Sequence, residues 1–399
     1  MAENQGRRLV TFFVGLAAGA LFAALAMRLP EQEAGYLQVL EAYGTTDMLV
    51  VRGRALEERP PEIPAARTGR ARNLARSLHM LETDELGGRT IRVLCREQER
   101  TAVTGQEGFF EVRFRLQGAR PGPATVHARA EGGASGEAEL FLYPSDVKRV
   151  IVSDFDDTLC HTGVPRKGRL VWRVLTWDPA RMEPVDGMAR VLNRLAEGGQ
   201  RRPVFYLSGG PVNFHPRVRA FLERQGFPQG TLMLRNFGLG SENDPFATAA
   251  YKRGRLERLR RVFPEARFVL IGDSGEQDPE VYAAFRRDHP DRVAAIAIRL
   301  LPGHGGRRVR YEGMITFRDA GVLLSIMVGY DPPERSATAS RQSKGAATSR
   351  ARLERVKMSE EPFAALWEKW TCPTIERTCC SYRLTTCGPN SAATAIRRW

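Results

Sequence analysis

Between about residue 36 and residue 144, short apolar runs alternate with polar turns that are rich in Gly and Pro. In the run FFEVRFRL, which starts at Phe109, apolar and polar side chains alternate as in a half-buried strand. The strands predicted in this way are Met48–Arg52, Thr90–Leu94, Phe109–Arg115, Thr125–Ala128 and Ala138–Leu142. We predict a small antiparallel β-sandwich over residues 36–146, with a long basic loop at Glu57–Arg76 and no catalytic constellation of its own.

From Val147 onward the pattern changes, because strand-like apolar runs now alternate with amphipathic helical stretches. The predicted strands are Arg149–Ser153, Val204–Leu207, Thr231–Leu234, Arg267–Ile271 and Val293–Ile298. The predicted helices are Asp186–Ala196, Pro216–Gln225, Ala250–Val262 and Pro279–Arg287. This alternation predicts an α/β domain over residues 147–330, with a parallel sheet covered by helices on both faces. Ligands of such sheets bind beyond the carboxyl ends of the strands.

The two ends of the chain differ from both domains. After Arg7 and Arg8, the uncharged run Leu9–Met27 is just long enough to cross a bilayer as a helix. We therefore expect residues 1–35 to form an apolar helix that anchors a single-pass membrane protein, with the catalytic domain outside the cytoplasm. The alternative is a signal segment cleaved near Ala24–Ala26, followed by secretion. Residues 331–399 are predicted to be a disordered basic tail.

Composition narrows the choice of partners. The net charge of +14 favours acidic partners such as phosphate esters, anionic lipids or nucleic acid. No zinc-finger spacing and no RNA-binding signature accompanies the charge, so we do not expect a nucleic-acid binder. The six cysteines contain no CxxC pair, and neither a zinc site nor a disulfide framework is indicated.

The first predicted strand of the α/β domain runs directly into the acidic sequence Asp154-Phe155-Asp156-Asp157-Thr158. Polar groups at the mouth of a buried strand are costly unless something binds them. An aspartate can attack phosphorus and form an aspartyl-phosphate, which splits one difficult displacement into two easier steps. A divalent cation is needed to offset the repulsion between that carboxylate and the phosphate. Asp156, two residues on, projects to the same side and is placed to act as general acid and base.

Three further polar groups follow later strands of the same domain. Ser208-Gly209-Gly210 is either a phosphate-cradling loop or a simple glycine turn. Lys252, at the start of a helix, is either a point charge that stabilises a phosphoryl group or part of a solvated face. The loop Gly272–Asp278 (GDSGEQD) places two aspartates after an apolar strand, which suits an oxygen-ligated Mg²⁺.

Together these motifs resemble the haloacid dehalogenase superfamily. Over about residues 147–300 the chain is similar to one branch, the actin-patch phosphatidate phosphatase family, whose catalytic domains carry DxDxT. The matching stretches are SDFDDTL, VFYLSGGPVNFHPRVRAFL, FPQGTLMLRNFG and FPEARFVLIGDSGEQDPEVYAAF. The resemblance implies a haloacid-dehalogenase-like fold and Mg²⁺-dependent conversion of phosphatidate, a phospholipid of membranes, into diacylglycerol and phosphate.

The resemblance also implies residue roles. Asp154 would be the nucleophile, Asp156 the acid and base, and Lys252 the stabilising cation. Substrate contacts would come from Thr158, Ser208 and Gly209, whereas the ligands of Mg²⁺ would be Asp154, Asp156, Asp273 and Asp278, with Asp156 contributing its backbone carbonyl. The pair Gly209-Gly210 departs from the bulkier residues expected after the serine, which leaves the shape of the phosphate loop open.

Other functions compete with this one. The same chemistry would serve a soluble phosphate ester or a phosphoprotein, because inserts in this superfamily set substrate choice. A third possibility is a catalytically inactive, membrane-anchored scaffold. The segment Gly163–Pro184 contains Trp172 and Trp177 among basic residues, which is compatible with a lipid surface or with burial in the core.

Overall fold

The computed structural model of the chain describes residues 35–61, 85–161, 182–197, 201–236, 248–304 and 308–330. The apolar N-terminal segment, most of the basic loop after Glu57, most of the insert at 163–184 and the tail from 331 lie outside the described residues. The predictions made for those segments therefore stay predictions, apart from the membrane span discussed below.

The N-terminal region forms one sheet of seven strands, in the order β4-β3-β6-β7-β1-β2-β5. Its strands are β1 (Tyr36–Thr45), β2 (Met48–Leu56), β3 (Thr90–Cys95), β4 (Gln98–Val103), β5 (Phe109–Arg115), β6 (Gly122–Ala130) and β7 (Ser135–Tyr143). All neighbouring strands are antiparallel except β1 and β7. The edge strands β4 and β5 contact each other, so the sheet curls on itself and encloses its core. The predicted sandwich of two facing sheets is thus replaced by one continuous curled sheet.

The five strands predicted in this region are present, and β1 and β4 are additional. Buried and exposed positions alternate along β3 and β5, which is why sequence periodicity finds them. β1 is buried on both faces, including Gln38 and Glu41, so its sequence shows no alternation. β4 is a polar edge strand without a fully buried residue. A strand that is buried on both faces and a strand that is polar on both faces lack the alternation by which periodicity detects strands.

The second sheet has six strands, all parallel, in the order β10-β9-β8-β11-β12-β13. Its strands are β8 (Arg149–Asp154), β9 (Val204–Pro211), β10 (Thr231–Arg235), β11 (Arg267–Asp273), β12 (Val293–Arg299) and β13 (Ile315–Phe317). The helices are α1 (Met188–Ala196), α2 (His215–Arg224), α3 (Thr248–Val262), α4 (Asp278–Asp288) and α5 (Ala320–Tyr330). The predicted α/β class with a parallel sheet is confirmed, and β13 and α5 were not predicted.

The two sheets share apolar contacts. Tyr43 of β1 packs edge-on against Phe205 of β9, with ring centroids 5.3 Å apart. Tyr143 of β7 packs in the same way against Phe263, just after α3, at 6.5 Å. Burial of such aromatic pairs is among the larger contributions to a hydrophobic core. The N-terminal sheet and the parallel sheet are therefore packed together rather than joined only by a linker.

The predicted membrane anchor is corrected by the helices. In the ranges that the structure describes, no helix combines the length and the apolar composition that crossing a bilayer requires. The predicted localisation, a single-pass membrane protein with its catalytic domain outside the cytoplasm, is therefore not supported and is withdrawn. The prediction rested on the length and uniformity of Leu9–Met27 and on the basic Arg7 and Arg8 before it, all of which lie outside those ranges.

Candidate active site

Asp154 is the last residue of β8, the strand near the middle of the parallel sheet, and its side chain is completely buried. Its Oδ2 accepts a hydrogen bond of 2.9 Å from Thr158 Oγ1, and its Oδ1 accepts one of 2.7 Å from Lys252 Nζ. Asp157, between Asp156 and Thr158, has φ 53°, a left-handed conformation that Asp adopts more readily than most residues. This turn brings Thr158 back onto Asp154, so Thr158 orients a carboxylate instead of lying in an open loop.

Lys252 is the second central group. It lies in the first turns of α3 and is 1% exposed, which rules out the solvated helix face considered above. Besides Asp154, its Nζ donates to Asp278 Oδ1 at 2.5 Å and to Glu276 Oε2 at 3.1 Å. Burial by itself would lower the pKa of Lys252, but the nearby carboxylates outweigh it and raise the pKa well above its usual value. Lys252 is therefore a fixed positive charge among several acids.

Three carboxylates converge beside this lysine. Oxygen atoms of Asp154, Asp273 and Asp278 all lie within 4.8 Å of one another, and all three side chains are buried. Asp273 Oδ1 accepts the backbone N–H of Gly275 at 2.5 Å, whereas its buried Oδ2 has no hydrogen-bond partner among the described residues. Burial, followed by the charges of Asp278 and Glu276, raises the pKa of Asp273 to about 8. An unpartnered oxygen in an all-oxygen acidic cluster fits a hard divalent cation such as Mg²⁺.

Asp156 lies in a different environment from these three. Its carboxylate accepts a hydrogen bond of 2.9 Å from Ser208 Oγ, which in turn accepts the backbone N–H of Gly210 at 3.0 Å. Burial and then the negative charge of Glu276 raise the pKa of Asp156 to about 7, although the bond from Ser208 opposes the shift. The side chain of Asp156 is thus held by Ser208, in the last half of β9, and is not part of the three-carboxylate cluster.

Two glycines permit close approaches around the site. A Cβ on Gly209 would lie 2.6 Å from Thr248 Cγ2, so only glycine lets the C-terminal end of β9 approach the first residue of α3 so closely. A Cβ on Gly272 would lie 2.5 Å from Asp278 Oδ2, so glycine also lets the Asp278 carboxylate reach β11. The small residue at 209, which departs from the expected pattern, is therefore explained by its packing against Thr248.

The structure brings all of the predicted site residues to the carboxyl edge of the parallel sheet, and it adds others. Glu276, a residue of the acidic loop for which no role was predicted, accepts a hydrogen bond from Lys252. Arg299 ends β12, pairs in register with Asp273, and donates 2.6 Å to the carbonyl of Asp157. The carboxyl-edge rule applied to β12 would have found Arg299. Arg310 donates to the carbonyls of Ser274 and Glu276 from beyond the last predicted strand, and no sequence signal pointed to it.

Residues 149–300 match the family model described as the catalytic domain of the phosphatidate phosphatase APP1. Phosphatidate phosphatase APP1 of Saccharomyces cerevisiae is 27% identical over 181 residues, which cover 44% of this chain and 30% of the yeast protein. An uncharacterized protein of Schizosaccharomyces pombe is 31% identical over 153 residues, which cover 37% of this chain and 24% of that protein. The chain thus spans less than a third of the length of either relative.

Among solved structures, a carbohydrate acetylesterase from Xanthomonas citri aligns over 75% of both chains with 11% identity and a TM-score of 0.26. A likeness this low bears on neither the fold nor the activity. The family-model match, by contrast, falls on the part of the chain that carries Asp154, Ser208, Lys252 and Asp273. Residues 149–300 are therefore similar to the catalytic domain of the APP1 phosphatidate phosphatase family, as the resemblance in the sequence predicted.

Proposed function

We propose that this chain is a Mg²⁺-dependent phosphatase of the haloacid-dehalogenase type that acts through an aspartyl-phosphate on Asp154, with phosphatidate as its substrate. One observation carries the proposal. Inside the region that matches the APP1 catalytic domain, Asp154 meets Lys252 at 2.7 Å and shares a 4.8 Å cluster with Asp273 and Asp278. A buried carboxylate supported in this way is suited to attack a phosphorus atom and to carry the phosphoryl group.

The proposed reaction has two steps. In the first, an oxygen of Asp154 forms a bond to phosphorus while the bond from phosphorus to the alcohol oxygen breaks, and Asp156 gives its proton to that oxygen. In the second, Asp156 takes a proton from water, whose oxygen attacks phosphorus and displaces Asp154. Ser208 positions Asp156 through its 2.9 Å hydrogen bond, and Lys252 places a positive charge beside the phosphoryl group.

Asp154, Asp273 and Asp278 are the residues proposed to hold Mg²⁺, with the backbone carbonyl of Asp156 as a further ligand from the family resemblance. The unpartnered Oδ2 of Asp273 supports this assignment. The cation would supply positive charge that offsets the repulsion between Asp154 and the phosphate dianion. Within the chain, Thr158 and Lys252 keep the two Asp154 oxygens oriented.

The substrate is proposed from the relatives. The yeast protein that matches 181 residues of this chain is named a phosphatidate phosphatase. A net charge of +14 is compatible with an anionic lipid headgroup. The products would be diacylglycerol and inorganic phosphate, and no part of the proposal depends on a membrane anchor.

The test is phosphate release from phosphatidate in detergent micelles, compared with a panel of soluble phosphate esters, with and without Mg²⁺. We expect metal-dependent release from phosphatidate by the wild-type protein and none by Asp154→Asn. Asp157→Asn is the matched control, since it changes a neighbouring acid and keeps a residue type that tolerates a left-handed backbone. Release confined to the soluble panel would reject phosphatidate but keep the chemistry, and release by Asp154→Asn at the wild-type rate would reject the mechanism.

A further inference from the structure

Helix α3 carries a second buried cation, three residues after Lys252. Arg255 is 6% exposed and forms a two-pronged ion pair with Glu41 of β1, with Nη1 to Oε2 and Nη2 to Oε1 both at 3.0 Å. Glu41 is 2% exposed and also accepts 3.0 Å from Arg52 of β2. Paired hydrogen bonds between a guanidinium and a carboxylate fix both position and orientation. Glu41 therefore attaches α3 to the N-terminal sheet.

Lys252 and Arg255 belong to one buried face of α3, together with Leu256, Leu259 and Val262. Residues three apart on a helix lie on the same side, about 4.5 Å apart along the axis. A shift or rotation of the helix at Arg255 therefore moves Lys252 by a similar amount. The ammonium of Lys252 meets Asp154 and Asp278 at 2.7 and 2.5 Å, distances that tolerate little displacement.

We propose that Glu41 is a positioning residue for Lys252: the N-terminal sheet fixes α3 through the Glu41–Arg255 pair and so holds the lysine against the acidic cluster. This inference rests on the proposed function for its kinetic consequence. It gives the N-terminal sheet a part in catalysis, although residue 41 lies outside the region 149–300 that the family model covers. Glu41 does not touch the reacting groups and acts only through Arg255.

The chain supplies a matched control on the same helix. Arg258, one turn beyond Arg255, pairs with Glu111 of β5 at 2.7 Å. That pair also joins α3 to the N-terminal sheet, but its side chains are 47% and 27% exposed. Exposed ion pairs contribute little positional constraint because water competes for both partners. Glu111→Gln therefore removes an ion pair between the same helix and the same sheet, here with β5 instead of β1, without disturbing the buried pair.

The kinetic test compares Glu41→Gln with Glu111→Gln at a temperature at which melting curves show both proteins folded. We expect kcat of Glu41→Gln to fall by about 10- to 100-fold with a smaller change in KM, because a misplacement of about 1 Å acts on the transition state. Glu111→Gln should keep kcat within about twofold. If Glu41→Gln does not fold, Arg255→Lys takes its place, since it keeps the charge and loses the paired geometry. An unchanged kcat in the folded variant, or an equal loss in Glu111→Gln, overturns the inference.

A second readout needs no turnover. An amine-reactive acylating reagent is applied to the same proteins, and the labelling of Lys252 is compared by mass spectrometry with that of Lys148, whose side chain is 57% exposed. We expect labelling of Lys252 relative to Lys148 to rise several-fold in Glu41→Gln and to stay at the wild-type level in Glu111→Gln. If the wild-type protein hydrolyses no phosphate ester, the proposed function fails, and this ratio still decides whether Glu41 positions Lys252.

Discussion

Helix α3 carries two buried ionic clusters only three residues apart, and they differ in how their charges balance. Around Lys252, one ammonium meets carboxylates of Asp154, Asp278 and Glu276, and Asp273 lies close by. Negative charge is in excess there, and one buried oxygen has no partner among the described residues.

Around Arg255 the balance is reversed, since the single carboxylate of Glu41 meets two guanidinium groups, those of Arg255 and Arg52. Both Glu41 oxygens are engaged, so no further ligand is needed. Buried ions are tolerated when they are fully paired, and an incomplete cluster is costly unless a ligand completes it. The excess of negative charge and the unpartnered buried oxygen, rather than burial or ion pairing as such, distinguish the candidate site from the structural contact.

The largest expected effect tests the cluster around Lys252, which is the candidate active site. Asp154→Asn removes the proposed nucleophile, and we expect kcat to fall by roughly 10⁴-fold or more, as when one essential member of a catalytic unit is removed from other hydrolases. The same change removes one charge from a cluster with excess negative charge, so the melting temperature should not fall. Phosphate release and thermal unfolding on the same samples measure both. A large loss of stability together with unchanged activity would show that the role of Asp154 is structural and not catalytic.

The next largest effect is a difference between Lys252 and Arg255 in how Mg²⁺ changes the stability of their variants. Lys252→Met leaves buried carboxylates without their cation, which should lower the free energy of unfolding by about 3–5 kcal/mol in the absence of metal. Millimolar Mg²⁺ should recover part of that loss, because the cation can bind the same acids. Arg255→Met should also destabilise the protein, but Mg²⁺ should not help it. Thermal unfolding with chelator and with Mg²⁺ measures the difference, and an equal response to Mg²⁺ in both variants would break the distinction.

A smaller expected effect is the pH dependence of the free energy of unfolding that is due to the buried His215, a residue outside the candidate site. Burial first, then the positive charges of Arg219 and Arg54, lowers the pKa of His215 from 6.5 to about 3 in the folded protein, against the hydrogen bond with the backbone of Leu40. The unfolded chain takes up a proton near pH 6.5 and the folded chain does not, so this contribution to stability is lost as pH falls from about 6.5 toward 3. We expect a loss of roughly 1–2 kcal/mol between about pH 6.5 and pH 5.

Denaturant unfolding at several pH values, compared with His215→Gln, measures this term. The wild-type curve should fall more steeply than the variant's in that window. Curves that stay parallel would show that His215 titrates equally in the folded and unfolded chains. The result would then remove His215 as a source of acid sensitivity beside β1.

The smallest effect belongs to the exposed pair on the same helix. Arg258→Gln breaks the contact with Glu111, which keeps its hydrogen bonds from Arg113. We expect a change of less than about 1 kcal/mol in the free energy of unfolding, and less still at high salt. Denaturant titration at low and high ionic strength checks it. A loss as large as that of Arg255→Met would mean that exposure does not distinguish the two pairs.

Much of the site could be predicted from the sequence, for a physical reason. In a parallel sheet, strands of successive βα units end at one edge, so polar residues that follow apolar runs meet even when they are far apart in the chain. Asp154 and Asp273 are the last residues of β8 and β11, which pair in parallel, so the rule predicts that they lie close together. The same rule applied to β12 reaches Arg299.

The contacts between the sheets could not be predicted in this way. Glu41 and Arg255 are 214 positions apart, and each looks like an ordinary solvated charge in its own segment. β1 itself escapes detection because both of its faces are buried and its sequence does not alternate. Which face of a sheet is covered depends on the neighbouring sheet, and that information is absent from the local pattern.

The parallel pairing of β1 with β7 has a consequence for how the chain reaches its native state. Gly44 lies opposite Leu142 and Thr45 opposite Tyr143, with the strands β2 to β6 lying between them along the chain. Pairing over such a separation slows folding, because a long loop must close before the contact stabilises anything. During synthesis the N-terminal sheet can be completed only once β7 has left the ribosome, immediately ahead of β8 and Asp154. Strands β1 to β6 must therefore wait, with strand edges unpaired, until the parallel-sheet domain begins to emerge.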